Sequence, residues 1–147
     1  MKPIQLTCFI FLLLASCQGP NIKEFLPNDY RVTYLERVHR FPHDVHIYKI
    51  RNEFVDVSDF KGFPKDCNDD CWEHYHNYNE LQDEYTYSHI GMVAEVNADA
   101  KELLKNLKSG KDFLYFCPKK LKYNIAFTII DIEERKMYCF ENINKNW

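Results

Sequence analysis

Within ten residues, Cys67-Asn68-Asp69-Asp70-Cys71-Trp72-Glu73-His74-Tyr75-His76, the chain carries soft thiols, borderline imidazoles and hard carboxylates. Thiolate with imidazole suits copper or zinc. Spacing decides which of these groups can act together. On a helix Cys67, Cys71 and His74 fall on roughly one face and His76 points elsewhere, whereas on an extended strand His74 and His76 share a face. Either arrangement needs ligands from outside, and His39, His43 and His46 bracket a predicted turn that could gather three imidazoles. The sharp expectation is a copper or zinc site at Cys67, Cys71, His74 and His76. Set against it is a plainer reading, in which the cysteines are oxidised and so do not ligate, and the histidines are merely solvated. A c-type haem is disfavoured, because Trp72 rather than His follows Cys71. No cofactor is expected.

Other catalytic chemistry finds little material. Ser58, Ser88 and Ser109 lie in neither Gly-x-Ser-x-Gly nor Ser-x-x-Lys, and Ser88 and His89, as neighbours on a strand, would face opposite ways. The four glycines form no phosphate-cradling loop. Asp69, Asp70, Glu73, Glu80, Asp83 and Glu84 form a pool of acids that could be paired for glycoside hydrolysis, but spacing in sequence does not test the separation that chemistry requires. They read as a solvated acidic face. No catalytic residue is assigned and an enzyme is the less favoured class.

The remaining excess is aromatic: Trp72, Tyr75, Tyr78, Tyr85 and Tyr87 crowd one stretch. Such rings with acids and amides make good contact surfaces, since they supply area at low entropy cost and keep a polar tip. Trp72, Tyr75 and Tyr78 are the expected anchors for a protein partner, with Asp69, Asp70 and Glu73 steering a basic one.

At the other end of the chain, Lys2 precedes an apolar run from Ile4 to Leu14 that is too short to span a bilayer. This is a signal peptide, closed by Leu14-Ala15-Ser16-Cys17. That run resembles the lipobox of bacterial lipoproteins. The resemblance implies cleavage before Cys17 and acylation of its thiol and amine, palmitate being the usual kind of chain, so that more than one acyl group anchors the protein stably. Gln18, rather than Asp, at the second mature position resembles the outer-membrane default, so the expected location is the bacterial cell envelope, outer membrane favoured. Ordinary secretion with Cys17 incidental is the alternative. The mature domain matches no family motif. By class alone, the chain is compatible with small envelope lipoproteins that inhibit or neutralise another protein.

Removing the signal, which carries one Lys and no acid, leaves the domain more acidic than the formal net charge of −3, with basic residues scattered. Nucleic acid is a poor partner for such a surface, and the membrane is reached through lipid rather than charge. Four cysteines remain beyond Cys8 and Cys17, and an even set in an exported domain reads as two disulfides. The favoured pairing is 67–71 with 117–139, the two crossed pairings staying open, and oligomeric state is not fixed.

The elements that must position these groups follow from periodicity. Residues 17–29 contain Gly19, Pro20 and Pro27 and read as lipidated Cys and tether, leaving 30–147 as one domain. Strands are expected over 32–38 and 45–50, with further strand at 54–57, and a helix over 67–85 from apolar steps of three and four. A strand is expected over 90–96. Asn97, Asp99, Leu103, Leu104, Leu107 and Gly110 predict a capped helix, followed by strands over 113–117, 123–131 and 136–141, the last two a hairpin. The order predicts an α+β fold, a mainly antiparallel sheet with about two helices packed on one face.

Overall fold

The computed structural model describes residues 22–24, 26–61, 63–64, 71–117 and 125–142. Strands β1 (Val32–Arg40), β2 (His43–Ile50), β3 (Trp72–Tyr75), β4 (Phe113–Phe116), β5 (Ile125–Asp131) and β6 (Lys136–Asn142) form one sheet in the order β1-β2-β6-β5-β4-β3. Every pairing is antiparallel. Helices α1 (Glu84–Ala94) and α2 (Ala98–Lys108) pack against each other and onto one face. The α+β architecture expected from the sequence is the one observed.

Both faces of the sheet are covered, which explains why β5 and β6 read as continuous apolar runs rather than as alternating ones. On the helical face Val45, Ile47, Phe113, Tyr115, Phe127, Ile129, Tyr138 and Phe140 meet Ile90, Val93, Leu103 and Leu107. On the opposite face Tyr48, Ile50, Trp72, Leu114, Phe116, Ile130, Met137 and Cys139 lie under Ile22, Leu26, Val55 and Phe60. Phe60 ends a short 3-10 helix, Val57–Phe60, and the further strand expected at 54–57 does not form. Ile22 and Leu26 are buried, so the part of the expected tether that holds them belongs to the core.

The expected helix over 67–85 is not what forms in its described part. Trp72–Tyr75 is a strand, Tyr78–Glu80 a 3-10 turn, and α1 begins only at Glu84. Tyr75, Tyr78 and Leu81 do share one core, but they reach it from a strand, a turn and a linker, so their helical spacing is fortuitous. The expected strand over 90–96 is correspondingly a helix through Ala94. Asp83 caps it by accepting from the Tyr85 backbone N–H at 3.1 Å, and Thr86, His89, Ile90 and Val93 form its buried side at steps of three, one and three. The second helix matches its signals: Asn97 accepts from the Ala100 N–H at 2.9 Å, and Gly110 takes φ 80° beyond the last turn.

Candidate functional site

Trp72, His74 and His76 alternate along β3 and the residue beyond it, so they project to one side of the sheet. Trp72 fixes the strand: it is stacked on Phe116 with centroids 5.0 Å apart and meets Phe60 edge-on at 5.1 Å. Register then carries the histidines to β4. His74 opposes Leu114 and Tyr75 opposes Phe113, which brings Asp112, one residue before β4, up to His76. His74 Nε2 lies 3.2 Å from Asp112 Oδ2, His76 Nδ1 lies 3.3 Å from Oδ1, and the two rings are 4.5 Å apart. One potential ligand atom from each of the three residues falls within a sphere of contacts no longer than 4.8 Å. The His76 N–H donates to Glu80 Oε2 at 3.0 Å, which pins the backbone just past the strand.

A second polar cluster lies at the far side of the helical face. His43, at the start of β2, is buried against Phe127 and Phe140, with the His89 ring 4.5 Å away. The Tyr85 hydroxyl and His43 Nε2 share a hydrogen bond of 2.9 Å, and the His89 Nδ1–H donates to the Tyr85 carbonyl at 2.6 Å. His43 Nδ1 makes no well-formed hydrogen bond. Burial, and then the charge His89 can carry, push the His43 pKa down from 6.5 to about 4, the Glu141 backbone offsetting only part of this. His43 is therefore a neutral imidazole at neutral pH. Beside it Asp83 also accepts from Thr86 at 2.8 Å and from Tyr115 at 3.2 Å; burial opposes its ionisation, but these bonds outweigh it and hold the carboxyl below its usual range.

The residues singled out from the sequence divide. Cys17, Cys67, Asp69 and Asp70 lie outside the described residues. Trp72 and Tyr78 are buried core side chains, only 5% and 3% exposed, so neither can anchor a partner. Tyr75 is half-buried on Phe113, and its hydroxyl donates to the exposed Glu73. His43 and His46 face opposite sides of β2, as successive parity requires, so His39, His43 and His46 do not gather; His46 instead meets Glu141 at 2.9 Å and His39 meets Asp44 at 2.7 Å.

The cysteines correct two expectations. Cys117 and Cys139 carry thiols and are not bridged to each other. β5 separates β4 from β6, which sets them about two strand spacings, roughly 9–10 Å, apart, beyond the reach of a disulfide. They also face opposite ways: Cys117 donates to the Ala126 carbonyl on the helical side, while Cys139 receives the Thr128 hydroxyl on the other. Cys71 is disulfide-bonded, with a partner that lies outside the described residues, and it is therefore no thiolate ligand beside His74 and His76. Asp112 went unnoticed in sequence because it stands 36 residues from His76; only strand pairing relates them. The His43–Tyr85–His89 cluster was hidden by ending the expected helix at Tyr85 and taking His89 as strand, whereas both lie on the helix Glu84–Ala94.

No protein-family model, curated protein or solved structure matches this chain.

Proposed function

We propose that this chain is a lipid-anchored bacterial cell-envelope protein whose domain binds a protein partner and catalyses no reaction. The observation that carries this reading is the apolar run closed by Leu14-Ala15-Ser16-Cys17. The disulfide at Cys71 fits an oxidising compartment. Among the described residues no helix is long and apolar enough to cross a membrane.

The contact surface keeps Tyr85 of the 67–87 segment and otherwise moves to the end of the sheet where β1 turns into β2. Phe41 in that turn is 65% exposed, and Tyr85, seated on His43 two residues further on, is 50% exposed. Tyr85 is held against His43 and His89, Phe41 stands exposed in the turn, and with the Arg40–Glu95 ion pair at 3.1 Å they have the composition of an interface anchor. The metal-handling alternative changes its ligands: it loses the Cys71 thiolate and gains Asp112.

Metabolic labelling with a palmitate analogue tests the anchor. Label and membrane fractionation are expected for the natural chain and absent from Cys17→Ser; an unlabelled natural chain found only in the medium would favour simple secretion. Recovery of envelope proteins on immobilised protein tests the surface. Phe41→Ser, which disturbs no core contact, is expected to lose a partner that the natural chain retains, and identical recovery by both would refute the assignment.

A further inference from the structure

We propose that His74, His76 and Asp112 form a binding site for a divalent transition metal, zinc or copper(II), at the β3 edge of the sheet. The claim is independent of the partner-binding reading and rests on geometry. Metal–ligand bonds of about 2.0–2.2 Å set neighbouring ligand atoms about 3.3–3.6 Å apart around a tetrahedral ion. The separations His74 Nε2–Asp112 Oδ2 and His76 Nδ1–Asp112 Oδ1, 3.2 and 3.3 Å, are close to that spacing, each histidine facing its own oxygen of the carboxylate. With one ligand atom taken from each residue every separation is within 4.8 Å, and rotation of the exposed His76 and Asp112 side chains would draw the set closer.

The framework around the three residues is fixed while their ends are accessible, which is what an exchangeable site needs. Trp72 locks β3 from the same side, and Glu80 holds the His76 backbone. Asp112 follows Lys111, whose ammonium meets Glu133 at 3.0 Å and whose N–H donates to the Asn106 carbonyl at 3.2 Å. The side chains of His74, His76 and Asp112 are 26%, 68% and 48% exposed. β3 is the last strand of the sheet, so an ion can approach from solvent along its outer edge.

The donor set selects the metal. Two imidazoles with one carboxylate suit zinc, copper(II) or a similar borderline ion, whereas calcium and magnesium prefer a cage of oxygens. Copper(I), which favours thiolate and thioether, is not served by an oxidised Cys71. Three protein ligands leave a position open for water or for a group carried by a partner, as in zinc sites that exchange ligands.

Calorimetric titration of the full-length protein in detergent with zinc chloride, and separately with copper(II) sulfate, tests the site. One ion per chain is expected. His76→Asn and Asp112→Asn, both at accessible side chains, are each expected to weaken binding by at least about tenfold while leaving the circular dichroism spectrum unchanged. His39→Asn, an exposed histidine elsewhere, is expected to bind as the natural chain does. The copper(II) form should show two nitrogen ligands by electron paramagnetic resonance, and one in His76→Asn. Absence of binding, binding equally tight in His76→Asn and Asp112→Asn, or a preference for calcium over zinc would each overturn the proposal.

Discussion

His43 illustrates how burial, together with a neighbouring imidazole, can turn an ordinary side chain into a pH-dependent contribution to stability. Its imidazole ionises near 6.5 in the unfolded chain and near 4 in the folded one, so between those values the unfolded state binds the extra proton. The sign follows: stability is complete above about pH 6.5 and declines as pH falls towards 4, by up to about 3 kcal/mol. Denaturant unfolding at pH 7 and pH 4.5 should show that loss in the natural chain and a smaller one in His43→Phe. An equal loss in both would place the acid sensitivity elsewhere. Trp72 makes the opposite point, since a residue with the composition of an interface anchor here holds β3 between Phe60 and Phe116. Trp72→Ala should cost about 3–5 kcal/mol of stability, read from the denaturation midpoint. The two thiols differ as well: burial pushes the Cys139 thiol up to about 12, so a maleimide should reach it only on unfolding, while the partly exposed Cys117 should react in the native protein.

At the level of elements, the two helices differ in how they are specified. α2 is written locally, from the Asn97 cap through Leu103 and Leu107 to Gly110, whose φ of 80° no other residue adopts without strain. Nothing lies near the position a Cβ would take, so Gly110→Ala should lose only the backbone preference, about 1 kcal/mol by thermal denaturation. α1 is specified by tertiary contacts: its aromatic and β-branched residues are indifferent helix formers, and Asp83 both caps it and ties it to Tyr115 on β4. Asp83→Ala should therefore cost about 1–2 kcal/mol. Because the Asp83 carboxyl is held below its usual range, its contribution is present at neutral pH and lost as pH falls through the acid range.

For the whole molecule, an antiparallel sheet with both faces covered ends, among the described residues, in two edge strands, β1 and β3. β3 is short. β1 is nine residues long and is guarded by a register shift between Tyr34 and Glu36 and by the charges of Glu36, Arg37 and Arg40. A bulge and edge charges oppose strand addition by another chain. Replacing Glu36 and Arg40 together by Val should make apparent mass in light scattering climb with concentration more steeply than in the natural chain.

The sequence by itself determined the α+β class, the antiparallel hairpin of β5 and β6, the capped α2 and the strands of β1, β2 and β4, because each rests on periodicity and end signals within a few residues. Local order also brought His74 and His76 to notice as a pair sharing a face if extended. Tertiary structure decided the rest. Whether residues 72–75 became strand or helix depended on Phe60, Phe113 and Phe116, distant residues against which Trp72 and Tyr75 pack. Strand order, which no local pattern encodes, kept Cys117 from Cys139 by placing β5 between them, and strand register brought Asp112 to the two histidines. A ligand set needs atoms within a few ångströms in space, and only the pairing of strands far apart in the chain supplies that proximity.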